Sequence, residues 1–199
     1  MAYSDFSISE LKQRFQLVIE ENTDLFADVP EADVPPFLLD KLNRYLPLAV
    51  NINTEKARSE MVIAPVLVEF KLLHRDRISL FSGIDFTVDE ASGLKGRCDF
   101  ILARSPEQLF LDVPVCVLVE AKNENVVGGI PQCLAEMVAA QEFNRRQGLS
   151  LTTFGVVTTG ILWRFLRLEG KQAAVDLLEY PIQTPRKIFG ILTRIALES

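Results

Sequence analysis

Val115-Cys116-Val117-Leu118-Val119-Glu120-Ala121-Lys122 is the stretch on which the fold turns. Apolar residues in nearly unbroken succession mark a strand buried on both faces, and such strands lie inside sheets rather than at their edges. The run then ends on a carboxylate and an ammonium. Strand alternation puts Leu118, Glu120 and Lys122 on one face and Val117, Val119 and Ala121 on the other, so the two charges emerge side by side. Neither is tolerated alone in a core; they pair with each other, with a metal, or with water at a cleft. By itself, Glu-Ala-Lys reads as a structural ion pair at a strand terminus.

The residues upstream change that reading. Residues 78–88 and 97–103 are rich in β-branched and aromatic side chains, with Ser92-Gly93 in a turn between them, which predicts a β-hairpin. Asp99 interrupts the apolar series Cys98, Phe100, Ile101, Leu102, where a bare acid is disfavoured. If this strand neighbours 115–119, Asp99 and Glu120 converge. Two carboxylates a few ångströms apart repel unless a cation lies between them, and oxygen ligands suit Mg²⁺ or Mn²⁺.

Downstream, Gly128-Gly129 is expected to break the chain before a helix over 130–147 that closes on Gly148. Strands are expected at 153–158 and 162–168, with a further one at 175–179, and Thr184-Pro185 opens a final helix. A strand-helix-strand order implies a crossover inside a mixed sheet, with helices on both faces.

The N-terminal part reads as helical. Ser7-Ile8-Ser9-Glu10 is a capping box before a helix over 11–19; residues 37–45 form a second; Asn53 or Thr54 caps a longer one running toward Leu73, kinked at Pro65. Helical spacing puts Glu60 on the side of Ile63, Ala64 and Leu67, which turns it toward the sheet; the alternative is a first-turn acid favoured by the helix dipole. The expected organisation is one α/β domain over 1–199: a helical extension (1–52), a core (53–168), and a C-terminal strand and helix (169–199).

Composition narrows the function. A net charge of −6 in 199 residues argues against coating nucleic acid by bulk electrostatics. The acids crowd into the first forty positions, however, so a local basic cleft stays open. One histidine, His74, excludes any site needing two, and it reads as structural. Cys98, Cys116 and Cys133 form no CxxC pair and sit in apolar stretches, which excludes a zinc ribbon and a disulfide framework. The sequence contains no apolar run of membrane-spanning length and no secretory signal at its start, so no membrane partner and a cytoplasmic location are expected.

An acid on an early helix (Glu60), a hairpin carrying Gly96-Arg97-Cys98-Asp99, a buried strand ending Val119-Glu120-Ala121-Lys122, and then a helix: this order resembles the PD-(D/E)XK nuclease superfamily. The likeness is nearest to the nuclease domain of type I restriction subunits and covers 53–168. It implies a restriction endonuclease-like core, a central mixed β-sheet flanked by helices. It also implies Mg²⁺ or Mn²⁺ ligation by Asp99, Glu120 and the Ala121 carbonyl, with Glu60 as an outlying or second-metal carboxylate. Lys122 would orient or help deprotonate the attacking water and stabilise the phosphate charge.

Gln132 matches a glutamine that lies beside the active site in some branches, but Glu136 stands where those branches carry an aromatic residue. Trp163, in the hairpin Thr159-Gly160-Ile161-Leu162-Trp163-Arg164-Phe165, reads as a packed aromatic. Candidate phosphate contacts are Lys56, Arg58, Lys95, Arg97, Arg145, Arg146 and Arg164. The function implied is a metal-dependent nuclease acting on nucleic acid, DNA foremost, with a homodimer as one route to double-strand cutting. Two alternatives stay open: a catalytically silent module of the same fold that binds nucleic acid or a protein, and an unrelated mixed-sheet domain in which Glu120 and Lys122 merely pair.

Overall fold

The quoted stretch forms strand β4 (Val115–Ala121), every residue of which is buried. The computed structural model describes residues 1–198; Ser199, the last residue of the expected C-terminal segment, lies outside the described residues. β4 is antiparallel to β3 (Arg97–Ala103), which is antiparallel to β2 (Ser79–Asp85), so the predicted hairpin and its neighbour are in place. On its other side β4 is parallel to β5 (Thr153–Thr158), and the crossover between them is the long helix α5 (Val126–Arg146).

β6 (Leu162–Glu169), β7 (Gln172–Val175) and β1 (Val18–Glu20) extend the sheet, giving the order β1-β7-β6-β5-β4-β3-β2, with the short β8 (Tyr180–Pro181) also on β6. The result is an α/β fold on a mixed eight-stranded sheet with an apolar core on each face. One core packs Val117, Val119 and Ala121 against α2 (Pro36–Ile52), α4 (Ala64–Leu73) and α6 (Pro185–Thr193). The other packs Leu118 and Val157 beneath α5 and α1 (Ile8–Arg14). Among the described residues no helix is long and apolar enough to cross a membrane.

Several expected boundaries move, each for a local reason. The Ser7/Glu10 capping box forms, but α1 stops at Arg14 and Gln16 adopts φ 57°, turning the chain into β1. The N-terminal extension is therefore not wholly helical: it gives the sheet an edge strand parallel to β7. α2 continues past residue 45, through Pro47, to a left-handed Asn53. The strand expected at 175–179 lies earlier, at β7, because Gly170 turns β6 back at once. The chain then leaves the ladder at Asp176, whose carboxylate accepts from the Leu25 and Leu178 N–H groups and from the Tyr180 hydroxyl.

Gly128-Gly129 does not break the chain either. Asn125 caps α5 by accepting from the Gly128 N–H, so both glycines lie inside the first turn. Their use is close approach: a Cβ on Gly129 would meet Val157 Cγ1 at 2.6 Å and Lys122 Cγ at 3.0 Å. Further along, Gly155 on β5 leaves room for Met137 and Cys133 of α5, whose sulfur atoms would lie 2.5 and 2.6 Å from its Cβ. At the far end the Gly148 and Leu149 N–H groups return to the Arg145 and Asn144 carbonyls, the Schellman closure expected of a glycine there.

The helix after Thr54 is α3 (Glu55–Arg58), which runs through a π-turn (Ser59–Ile63) into α4. Pro65, expected as a kink, sits in the first turn of α4; the wider π-turn just before it takes up the ring and its missing N–H. At the β2 edge, the Gln108 side chain accepts from the Leu80 N–H and donates to the Leu80 carbonyl, and Gly83 bends the strand with φ 62°.

Candidate active site

Asp99, Glu120 and Lys122 lie together at one end of the sheet. The Asp99 carboxylate accepts from the Ala121 N–H at 2.8 Å, tying the tip of β3 to the tip of β4 beyond the last ladder pair between those strands. In a strand the N–H and C=O of one residue face the same neighbour, so the Ala121 carbonyl also leaves toward Asp99. Glu120 is 3% exposed and accepts from Lys122 Nζ at 2.5 Å. Lys122 Nζ also donates to Gln132 Oε1 at 3.2 Å, and Gln132 Nε2 donates to Glu136 Oε1 at 3.2 Å.

Glu136 is wholly buried, although it sits on the apolar face of α5 among Cys133, Leu134, Met137 and Ala140. Three acids thus crowd one ammonium. Burial, joined by the charge of Asp99, raises the Glu120 pKa above the ordinary carboxylate range. Burial also raises Asp99, against the pull of the Ala121 N–H and Lys122, and raises Glu136 further, with Glu120 as the next cause. Burial alone would lower Lys122, but its bond to Glu120 outweighs this and leaves the ammonium favoured.

Polar atoms without partners concentrate here. Among the described residues, four of the seven buried side-chain nitrogen and oxygen atoms that lack a hydrogen bond surround this end of the sheet: Arg58 Nε, Glu120 Oε2, Asn123 Oδ1 and Glu136 Oε2. Native interiors rarely leave such groups unpaired. A polar cleft of about 330 Å³ opens alongside. α3 and the π-turn supply one wall with Glu55, Lys56, Ser59 and Glu60; the hairpin supplies the other with Ser82, Gly83, Arg97 and Asp99; Ala121 closes the floor.

Glu60 is reached by the cleft but does not turn toward the sheet. Its side chain is 62% exposed and pairs with Lys56 at 3.3 Å, because the π-turn changes the angular register that ordinary helical spacing assumed. Glu55, which the sequence reading passed over, lies close enough to favour the charged form of Lys122. Of the cations expected to touch phosphate, Lys56 and Arg97 line the cleft. Arg58 is buried and donates to Asn53 Oδ1 and the Thr159 carbonyl, holding the helix to the loop after β5. Lys95 pairs with Glu90, and Arg164 with Glu179. Arg145 and Arg146 pair with Glu142 at the other end of α5, about 30 Å of helix from the site. His74 ends α4 with its ring against Phe70, and Trp163 is fully buried with its indole N–H on the Gly160 carbonyl, a packed aromatic as expected.

No family model matches the chain, and no curated protein sequence matches it. What the site can do follows from its geometry. Among the described residues no three His, Cys, Asp or Glu side chains converge as a ready metal cage. The donors available to a cation are the Asp99 and Glu120 carboxylates and the Ala121 carbonyl, all oxygen, with Glu120 Oε2 unpartnered. Such a set suits a hard divalent ion that keeps much of its water and takes further ligands from a bound phosphate. A slightly larger hollow of about 370 Å³ is lined mainly by apolar residues such as Ile8, Ile19 and Ile130; of its acids, Glu21 and Asp176, the second is hydrogen-bonded to Tyr180, and no lysine lines it.

Proposed function

We propose that this protein is a metal-dependent nuclease that hydrolyses phosphodiester bonds of nucleic acid, DNA foremost, in a PD-(D/E)XK-type site. The observation that carries the reading is the meeting of Asp99, Glu120 and Lys122 at the adjoining ends of β3 and β4, beside an open cleft with cationic side chains on its rim. The order of elements around it, hairpin, buried strand, helix, parallel strand, supports a restriction endonuclease-like core over 53–168.

Asp99, Glu120 and the Ala121 carbonyl would hold Mg²⁺ or Mn²⁺. When bound, the ion supplies a water of lowered pKa and neutralises charge on the phosphate. Lys122 holds its ammonium at the same edge, where it stabilises developing negative charge. Lys56 and Arg97 on the rim offset the repulsion between acids and a polyanion. Glu60, exposed beside Lys56, serves at most as an outer carboxylate. A homodimer in the cytoplasm would bring two such clefts to a duplex.

A second reading, a silent module of this fold that binds nucleic acid or a protein, draws on one observation: Lys122 is already engaged by Glu120 and Gln132. The deciding experiment is hydrolysis of labelled single- and double-stranded DNA with Mg²⁺ or Mn²⁺, comparing the native protein with Glu120→Ala and Lys122→Ala. Metal-dependent cleavage lost in both variants supports the nuclease. Absence of cleavage, together with no thermal stabilisation by either metal, rejects it.

A further inference from the structure

We infer that Glu136 is a positioning residue: it fixes which way the Gln132 amide faces, and through that amide it fixes the direction of the Lys122 ammonium. An ammonium only donates, so Gln132 must present Oε1 to Lys122, as it does at 3.2 Å. The amide is planar, and Nε2 then points away from Lys122. There it meets Glu136 Oε1 at 3.2 Å, an acceptor one helical turn further along α5.

Glu136 is wholly buried, so at that place no solvent substitutes for it. A flipped amide would set its NH₂ against the ammonium, a repulsive contact in place of a hydrogen bond, and would give up the Nε2 bond to Glu136 Oε1. Gly129 makes the geometry reachable, since it lets the start of α5 rest on the Lys122 stem and brings Gln132 within range of Nζ. The helix-face neighbours are apolar and burying an acid among them is costly; the polar groups it meets are Gln132 and the Glu120 carboxyl at the end of β4. Glu136 lines no part of the cleft and so does not act on a substrate; it meets both Gln132 and Glu120, and replacing Gln132 tells the two routes apart.

The kinetic consequence rests on the nuclease reading, while the positioning itself does not, and the test separates them. In metal-dependent DNA cleavage, Glu136→Met and Gln132→Met each lower kcat about 10- to 100-fold with KM little changed, the effect of a misplaced group. The double variant is no slower than the slower single one. Glu136→Gln keeps an acceptor for Gln132 and retains a kcat close to that of the native protein. Native kcat in Glu136→Met, or effects that multiply in the double variant, would overturn the inference.

Independently of activity, urea midpoints are compared for Lys122→Met, Glu136→Met and their combination, in the native protein and again in the Gln132→Met background. Non-additive shifts that become additive once Gln132 is replaced support a relay through the amide. Additive shifts in both backgrounds, or a coupling that survives loss of Gln132, overturn it. Coupling through Gln132 in a protein without cleavage activity rejects the nuclease and leaves the positioning role intact. Glu136→Met removes a buried carboxyl group without adding bulk and is expected to fold; Glu136→Gln supplies the isosteric control.

Discussion

The two ends of β4 solve the same problem in opposite ways. At its start a buried polar side chain, Asn144 of α5, accepts from the Val115 N–H at 2.9 Å and donates to the Val115 carbonyl at 2.8 Å. The amide is matched and the strand is locked to the helix. At the other end α5 also brings polar side chains to β4, but Glu120 and Glu136 are buried with an oxygen each unpartnered, beside an open cleft. One end spends its polar groups on architecture. The other gathers acids whose pKa values burial and mutual repulsion raise.

Breaking each end should therefore give opposite signatures. The largest effect is expected for Glu120→Gln, which keeps the bond to Lys122 but removes a carboxylate. Cleavage rates should fall at least about 100-fold while stability in EDTA is unchanged or raised, measured by DNA hydrolysis and urea unfolding. Asn144→Leu should do the reverse: it strands the Val115 N–H and carbonyl and should cost about 2–3 kcal/mol in urea unfolding, with cleavage per folded molecule preserved. A stable but inactive Asn144→Leu would erase the contrast between the two ends.

The next test uses pH. Glu136 has a folded-state pKa raised by burial and by Glu120, so the folded protein holds a proton that the unfolded chain releases in the ordinary carboxylate range. The associated stability is complete below that range and is lost as pH rises toward the raised value. Metal-free native protein should thus weaken between pH 5 and pH 8. Glu136→Gln should be flatter and about 1 kcal/mol or more the stabler at pH 8, by urea titration at both pH values. The smallest effect belongs to the cluster at the far end of α5: Glu142→Ala, which takes away the partner of Arg145 and leaves Arg146 its bond to the Val88 carbonyl, should shift stability by no more than about 1 kcal/mol and leave cleavage untouched.

What the sequence revealed divides along similar lines. β4, the hairpin and α5 were legible because uninterrupted or alternating apolar residues leave few conformations that bury them. The convergence of Asp99, Glu120 and Lys122 followed from placing those strands as neighbours. Glu136 was quoted but given no role, since nothing in helical spacing separates an acid buried with partners from one facing water. The face it shares with Cys133, Met137 and Ala140 proves to pack against the sheet, a fact that follows from the tertiary fold. Glu60 was misdirected because a π-turn leaves no mark in the periodicity, and β1 was missed because three residues carry no period at all. The roles of Arg58, Arg145, Arg146 and Arg164 depended on which partners tertiary folding brought to them.

A sheet of this kind has two open margins, and the one at β2 has a consequence for how molecules of this protein meet one another. Gln108 occupies the outward N–H and C=O of Leu80, and the bend at Gly83 spoils the regular spacing three residues later. A strand from a second molecule arriving there finds too few consecutive open groups to dock. Gln108 thus blunts this margin in the way that natural sheet edges discourage pairing with a second chain.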